Sequence, residues 1–144
     1  MPTRTARTVW NGSPEDGTGT VTLVSSGVGT YEVNFPKRAA DNADGTTSPE
    51  ELIAAAHAGC FTMALAFALQ SAGFKPTELT TEAAVSLEPD GPQGFKISRS
   101  ALTLRAQVSG ISPEKFASIA QDAERNCPVS KVLKAEITLD AKLA

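Results

Sequence analysis

The residues that most often build metal and nucleophile sites are scarce here, with one histidine and two cysteines in 144 residues. Three such side chains without metal-ligand spacing leave zinc short of its usual four ligands. Two cysteines are also too few for a disulfide scaffold, and in a reducing compartment they do not form a permanent staple. Basic runs are absent, and 13 Lys and Arg against 16 Asp and Glu give a net charge of −3. A nucleic-acid partner, which needs clustered cations, is thereby disfavoured. Neither a glycine-rich phosphate loop nor a Gly-x-Ser-x-Gly elbow occurs. Residues Met1 to Arg7 lack the apolar stretch of a secretory signal, so the expected compartment is the cytoplasm. The sequon Asn11-Gly12-Ser13 carries no consequence without export.

What is present begins with strands. Alternation around Thr5–Trp10, Gly19–Val24 and Thr30–Phe35 is interrupted by Asn11-Gly12-Ser13-Pro14 and Ser26-Gly27-Val28-Gly29. That spacing predicts an antiparallel meander. Lys37 to Thr47 then reads as a polar loop, long enough to carry function.

A helix start follows. Ser48 is placed to cap, Pro49 suits the first helical position, and Glu51 completes a Ser-x-x-Glu capping box. The body from Leu52 to Leu69 is almost wholly apolar and contains seven alanines. Gly73 and Pro76 mark its end. At about 1.5 Å per residue the helix would run roughly 35 Å, long enough to span a bilayer. His57 and Thr62 interrupt it, alanine dominates, and no aromatic or basic anchors flank it, so a membrane span is disfavoured. A helix apolar all round belongs inside protein. A single chain of this length has difficulty covering it, which predicts a dimer.

The second half returns to strands. Thr80–Leu87 and Phe95–Val108 flank a hairpin loop from Glu88 to Gly94, and Leu102, Leu104, Ala106 and Val108 alternate towards a core. Ser112-Pro113-Glu114 opens a helix with Phe116, Ile119, Ala120 and Ala123 on one stripe. Pro128 ends it, a short helix runs to Leu133, and Ile137, Leu139 and Ala141 alternate in a last strand. The predicted fold is α+β in one domain spanning residues 1–144, in the order β-β-β-α-β-β-α-α-β. Mainly antiparallel sheets pack around a long buried helix.

Three side chains are candidates for chemistry. Cys60 lies mid-helix among alanines, where a buried thiol is inert and the helix dipole helps little. Reactivity there needs a cation, and Arg38 in the preceding loop is the candidate. Cys127 directly precedes the helix-opening Pro128, where a thiolate would face unpaired backbone N–H groups. A small residue at a helix start explains the same placement equally well. His57 lies three residues before Cys60, on roughly the same helix face. It is either a base for the thiol or a packed histidine, and nothing obvious orients it as a base.

Two segments, Ser48-Pro49-Glu50-Glu51-Leu52-Ile53-Ala54-Ala55-Ala56-His57-Ala58-Gly59-Cys60-Phe61 and Cys127-Pro128-Val129-Ser130-Lys131-Val132-Leu133-Lys134-Ala135, closely resemble the OsmC/Ohr family. Members are osmotically inducible protein C and the organic hydroperoxide resistance proteins. The His-Ala-Gly-Cys and Cys-Pro-Val-Ser wording is nearer the OsmC branch. The resemblance implies an intertwined homodimer with active sites at the interface, a peroxidatic Cys60 and a resolving Cys127. It also implies a site glutamate at Glu50 and a site arginine at Arg38, although Lys37 is adjacent.

On that resemblance, Arg38 holds Cys60 as thiolate, and Cys60 attacks an organic hydroperoxide to give an alcohol and a sulfenic acid. Cys127 condenses with it to a disulfide, which a dithiol, in the family a dihydrolipoyl group, reduces by exchange. No bound cofactor is required. Alkyl tails are expected to bury against Phe61 and Met63, favouring organic hydroperoxides over hydrogen peroxide. Glu50 and Cys60 are ten residues apart, about 15 Å along a straight helix, so a shared site needs Glu50 from a second subunit. The alternatives are a redox-sensing dimer switched by the same disulfide, and an apolar ligand carrier with inert thiols.

Overall fold

The computed structural model describes residues 1–144 as ten elements in two compact units, Met1–Glu51 and Leu52–Ala144. In the first, β1 (Ala6–Asn11), β2 (Thr18–Leu23) and β3 (Thr30–Val33) form an antiparallel meander in the order β1-β2-β3. Trp10 pairs with Gly19 across the first hairpin. A Cβ on Gly19 would stand 2.7 Å from the indole ring, and one on Gly17 2.8 Å from it. Only glycine lets the strand pass under the tryptophan. The indole Nε1 donates to the Gly12 carbonyl at 2.9 Å. This unit has little core of its own, for its buried residues are Gly17, Gly19, Thr46 and Glu50.

The polar loop expected from Lys37 holds a short helix at its start, α1 (Phe35–Arg38). Asn34 caps it, accepting the Lys37 N–H at 2.8 Å, and Pro36 sits in its first turn. An Asn-x-Pro start signal was therefore present in what reads as the end of a strand.

The long helix is α2 (Pro49–Ser71). Ser48 Oγ accepts the Glu51 N–H at 3.1 Å, which is the first arm of the expected capping box. The second arm differs: the Glu51 carboxylate accepts from the Thr47 hydroxyl at 2.5 Å. At the far end Gly73, at φ +90°, closes a Schellman turn in which Phe74 N–H donates to the Leu69 carbonyl at 2.9 Å.

In the second unit, β4 (Pro76–Asp90), β5 (Gly94–Val108) and β6 (Glu136–Leu143) form a sheet in that order. The β4–β5 hairpin is antiparallel and longer than its sequence signals indicated, pairing as far as Asp90 with Gly94. β6 lies parallel to β5, the one parallel pairing between two strands; a single parallel bridge also joins Val33 to Thr47. Between β5 and β6 run α3 (Pro113–Asn126), capped by Ser112, and the single turn α4 (Pro128–Val132).

The core of this unit follows from two periods. Leu102, Leu104, Ala106 and Val108 line one face of β5, while Phe61, Leu65 and Leu69 recur every four residues along α2. Phe116, Ala120 and Ala123 of α3 join them. Each large side chain here contributes roughly 1.5–3 kcal/mol by leaving water. The opposite face of α2 is uncovered, with Met63 70% and Phe67 75% exposed. By length and a mean hydropathy of 1.9, α2 would also qualify as a membrane span. However, its inner stripe is built into a protein core that includes hydrogen-bonded His57.

Candidate active site

Each unit carries half of the residues singled out in the sequence. In the first unit α1 ends at Arg38 and α2 begins beside Glu50, and these two side chains meet. Arg38 Nε lies 3.1 Å from both carboxylate oxygens of Glu50, and Nη2 lies 2.7 Å from Oε1. The Glu50 carboxylate is only 9% exposed, whereas the Arg38 side chain keeps 35% of its surface open. The adjacent Lys37 turns elsewhere and pairs with Asp44 at 2.5 Å. Of the two cations considered in the sequence, Arg38 is the one tied to the buried glutamate. Glu51 serves the helix cap instead.

Arg38 also lines an open cavity of about 260 Å³ with Trp10, Val33, Phe35, Thr47 and Pro49. Sequence reasoning missed this pocket, because its walls come from β1, β3, α1 and the start of α2. Phe61, expected to line an alkyl pocket, is fully buried in the core and cannot do so. Its i+4 relation to Leu65 and Leu69 was the signal that it faces inward.

In the second unit, α2 presents Cys60 to the α3–α4 junction, where Cys127 is buried. Both cysteines are free thiols, and they lie close enough for Cys127 to act on the titration of Cys60. Burial is the main influence raising the Cys60 pKa, and the contact with Cys127 raises it further. The Val129 backbone N–H near Cys60 pulls in the opposite direction. The sequence pointed to amides at the start of this helix as partners for Cys127. The structure directs one to Cys60 instead, and Cys127 makes no side-chain capping bond.

His57 is completely buried one turn before Cys60. Its Nδ1 lies 2.6 Å from Ser100 Oγ on β5, and its Nε2 lies 2.8 Å from Ser130 Oγ on α4. Burial lowers its pKa, favouring the neutral ring. Cys60 is not among its hydrogen-bond partners, so the Cys–His nucleophile–base pairing considered from the sequence is not formed here. The serines were legible only as exceptions. Ser100 continues the Leu102–Val108 row by one inward position, and His57 continues the Phe61–Leu69 stripe by one turn.

No cluster of three or more His, Cys, Asp or Glu is arranged to hold a metal ion. The arrangement instead suits thiol chemistry, with two cysteines in contact and one placed under a backbone donor. Comparison with known proteins agrees. Residues 41–142 match the family of OsmC-like proteins. The chain belongs to the OsmC family.

It is 46% identical over 134 residues to peroxiredoxin OsmC of Escherichia coli strain K12, covering 93% of this chain and 92% of that one. It is 30% identical over 99 residues to the organic hydroperoxide resistance protein OhrA of Bacillus subtilis, covering 68% and 67% of the two chains. Among solved structures, an organic hydroperoxide resistance protein of Elizabethkingia anophelis superposes with a TM-score of 0.72. That pair shares 28% identity and covers 100% and 96% of the two chains. An OsmC-like protein of Vibrio cholerae shares the α+β fold at a TM-score of 0.79 with 15% identity, over 99% of this chain and all of the other.

Proposed function

We propose that this OsmC-family chain reduces organic hydroperoxides to alcohols, with Cys60 as the attacking sulfur and Cys127 as its resolving partner. The chain is a cysteine-based peroxidase, in keeping with the peroxiredoxin and hydroperoxide resistance proteins it resembles. The observation that carries the finer reading is the proximity of the two free thiols, one of them beside the Val129 N–H. In the first step, Cys60 thiolate attacks one peroxide oxygen, the O–O bond breaks, and the alkoxide takes a proton to leave as alcohol. Cys60 becomes a sulfenic acid. Cys127 then attacks that sulfur, forming the disulfide and releasing water. An external dithiol donates two electrons and two protons to restore both thiols.

Burial raises the Cys60 pKa, so the attack requires a cation that this cysteine's own surroundings do not supply. We assign that cation to Arg38, held in register by Glu50. Glu50 and Cys60 are ten positions apart on one helix, so the Arg38–Glu50 pair comes from a second subunit in this reading. The uncovered face of α2 and the nearly coreless first unit both support a dimer, because each leaves apolar surface without a partner. The cavity beside Arg38 would receive the alkyl tail. The expected setting is cytoplasmic, with neither a nucleic acid nor a membrane as partner.

The test is turnover. Incubation with excess cumene hydroperoxide and a dithiol such as dihydrolipoamide should consume many equivalents per chain. One oxidation per site would instead indicate a redox sensor, and no reaction would indicate a carrier with inert thiols.

A further inference from the structure

The peroxidase reading assigns no role to the buried His57–Ser100–Ser130 group, although it adjoins both cysteines. Its spacing is informative. His57 precedes Cys60 by three residues on α2, and Ser130 follows Cys127 by three residues in α4. The same two elements are thus linked twice, once thiol to thiol and once through His57 Nε2 and Ser130 Oγ at 2.8 Å. The other ring nitrogen is fastened to β5 by Ser100 at 2.6 Å, so the ring is held at both ends. A neutral imidazole has one donor and one acceptor, and each hydroxyl can supply the complement. All three side chains are buried, with no other hydrogen-bond partner for either ring nitrogen. Each lost bond would therefore leave an unsatisfied polar group in the core.

We propose that His57 is a positioning residue for disulfide formation, tying α4 to α2 through Ser130 so that Cys127 stays within reach of oxidised Cys60. Resolution requires the two sulfurs to close to about 2.05 Å with a restricted dihedral angle. Small displacements of α4 therefore slow this step far more than they slow attack on a diffusing peroxide. The chemistry balances as before: Cys60–SOH and Cys127–SH give one disulfide and one water, and His57 exchanges no electrons. Ser100 anchors the ring, and Ser130 makes the link itself.

The inference rests on the peroxidase reading for its physiological meaning, and the experiment separates the two. Rapid mixing of reduced protein with one equivalent of cumene hydroperoxide follows sulfenic acid by dimedone trapping and disulfide by mass. Ser130→Ala is expected to form sulfenic acid at the wild-type rate, to form disulfide at least about tenfold more slowly, and to accumulate sulfinic acid under excess peroxide. Ser130→Thr, which keeps the hydroxyl, is expected to recover most of the disulfide rate. His57→Gln, tested in parallel with its melting temperature, should share the resolution defect. Equal slowing of both steps, or a wild-type disulfide rate in both Ser130→Ala and His57→Gln, would overturn the proposal. If the wild type itself ignores peroxide, the peroxidase reading fails alone. Diamide then oxidises the same thiol pair without peroxide, and an unchanged rate in Ser130→Ala would overturn the positioning role.

Discussion

The Arg38 guanidinium grips the Glu50 carboxylate through two nitrogens, at 2.7 to 3.1 Å, from twelve positions earlier in the sequence. A carboxylate this buried and this well paired fixes the arginine's plane. If Arg38 is the cation that offsets the burial of Cys60, Arg38→Ala should raise the Cys60 pKa by at least about one unit. The pH dependence of iodoacetamide alkylation measures that midpoint. An unchanged midpoint removes Arg38 from the activation of Cys60. The same substitution leaves Glu50 without its partner, and a stability loss of about 1–3 kcal/mol is expected, reduced by the solvent access of Arg38.

A site assembled from two subunits, as proposed, predicts complementation. Glu50→Ala and Cys60→Ser chains should each be inactive, yet mixed dimers contain one intact site and should recover activity. Confirmed subunit exchange with no recovery would mean that Glu50 and Cys60 do not act across an interface.

The two cysteines should fail differently. Cys60→Ser should lose peroxide turnover by orders of magnitude while keeping its fold, because the attacking sulfur is gone. Cys127→Ser should be oxidised once and then stall or proceed to sulfinic acid, as read by intact mass. Sustained turnover by Cys127→Ser without either product would remove its resolving role.

Selectivity should reside in the cavity shared by Trp10, Phe35 and Arg38. Each buried methylene is worth about 0.8 kcal/mol, so an alkyl tail gains several-fold over hydrogen peroxide, which has none. Trp10→Ala should therefore lower kcat/KM for cumene hydroperoxide several-fold while changing that for hydrogen peroxide little. Parallel losses on both substrates would place the tail elsewhere.

His57 predicts a pH dependence of stability. Burial lowers its pKa below the ordinary value of about 6.5, so the unfolded chain takes up a proton as pH falls through 6.5 while the folded chain does not. The unfolded state binds more protons in that window, so stability falls as pH drops, by at most about 1.4 kcal/mol per unit. Above about pH 7 this contribution is complete. Urea midpoints of wild type and His57→Gln between pH 7.5 and 5.5 isolate it, since the carboxylates are common to both. Identical slopes would mean that the folded ring titrates normally.

How much was legible depended on whether a feature was local. The meander, the Ser48 start of α2, its Gly73 stop and the alternating face of β5 all rest on neighbouring residues, and their sequence signals place them to within a few positions. The short α1 was hidden because Asn34 and Pro36 stand where strand alternation continues. At the site, the cysteines and Glu50 stood out through their helix context and the family wording. The pocket around Trp10 did not, since no period links β1, β3 and α1. His57 read as ambiguous because its partners lie 43 and 73 residues away. Only the packing of α2 against β5 and α4 brings them together.

The donor that reaches Cys60 from α4 is the main-chain amide of Val129 and not a side chain. Its presence is thus indifferent to which residue occupies position 129, provided that residue is not proline, which has no N–H to give. Drift at that position can reshape the surroundings of the sulfur without erasing this contact. A scan of position 129 should accordingly divide into proline on one side and most other residues on the other.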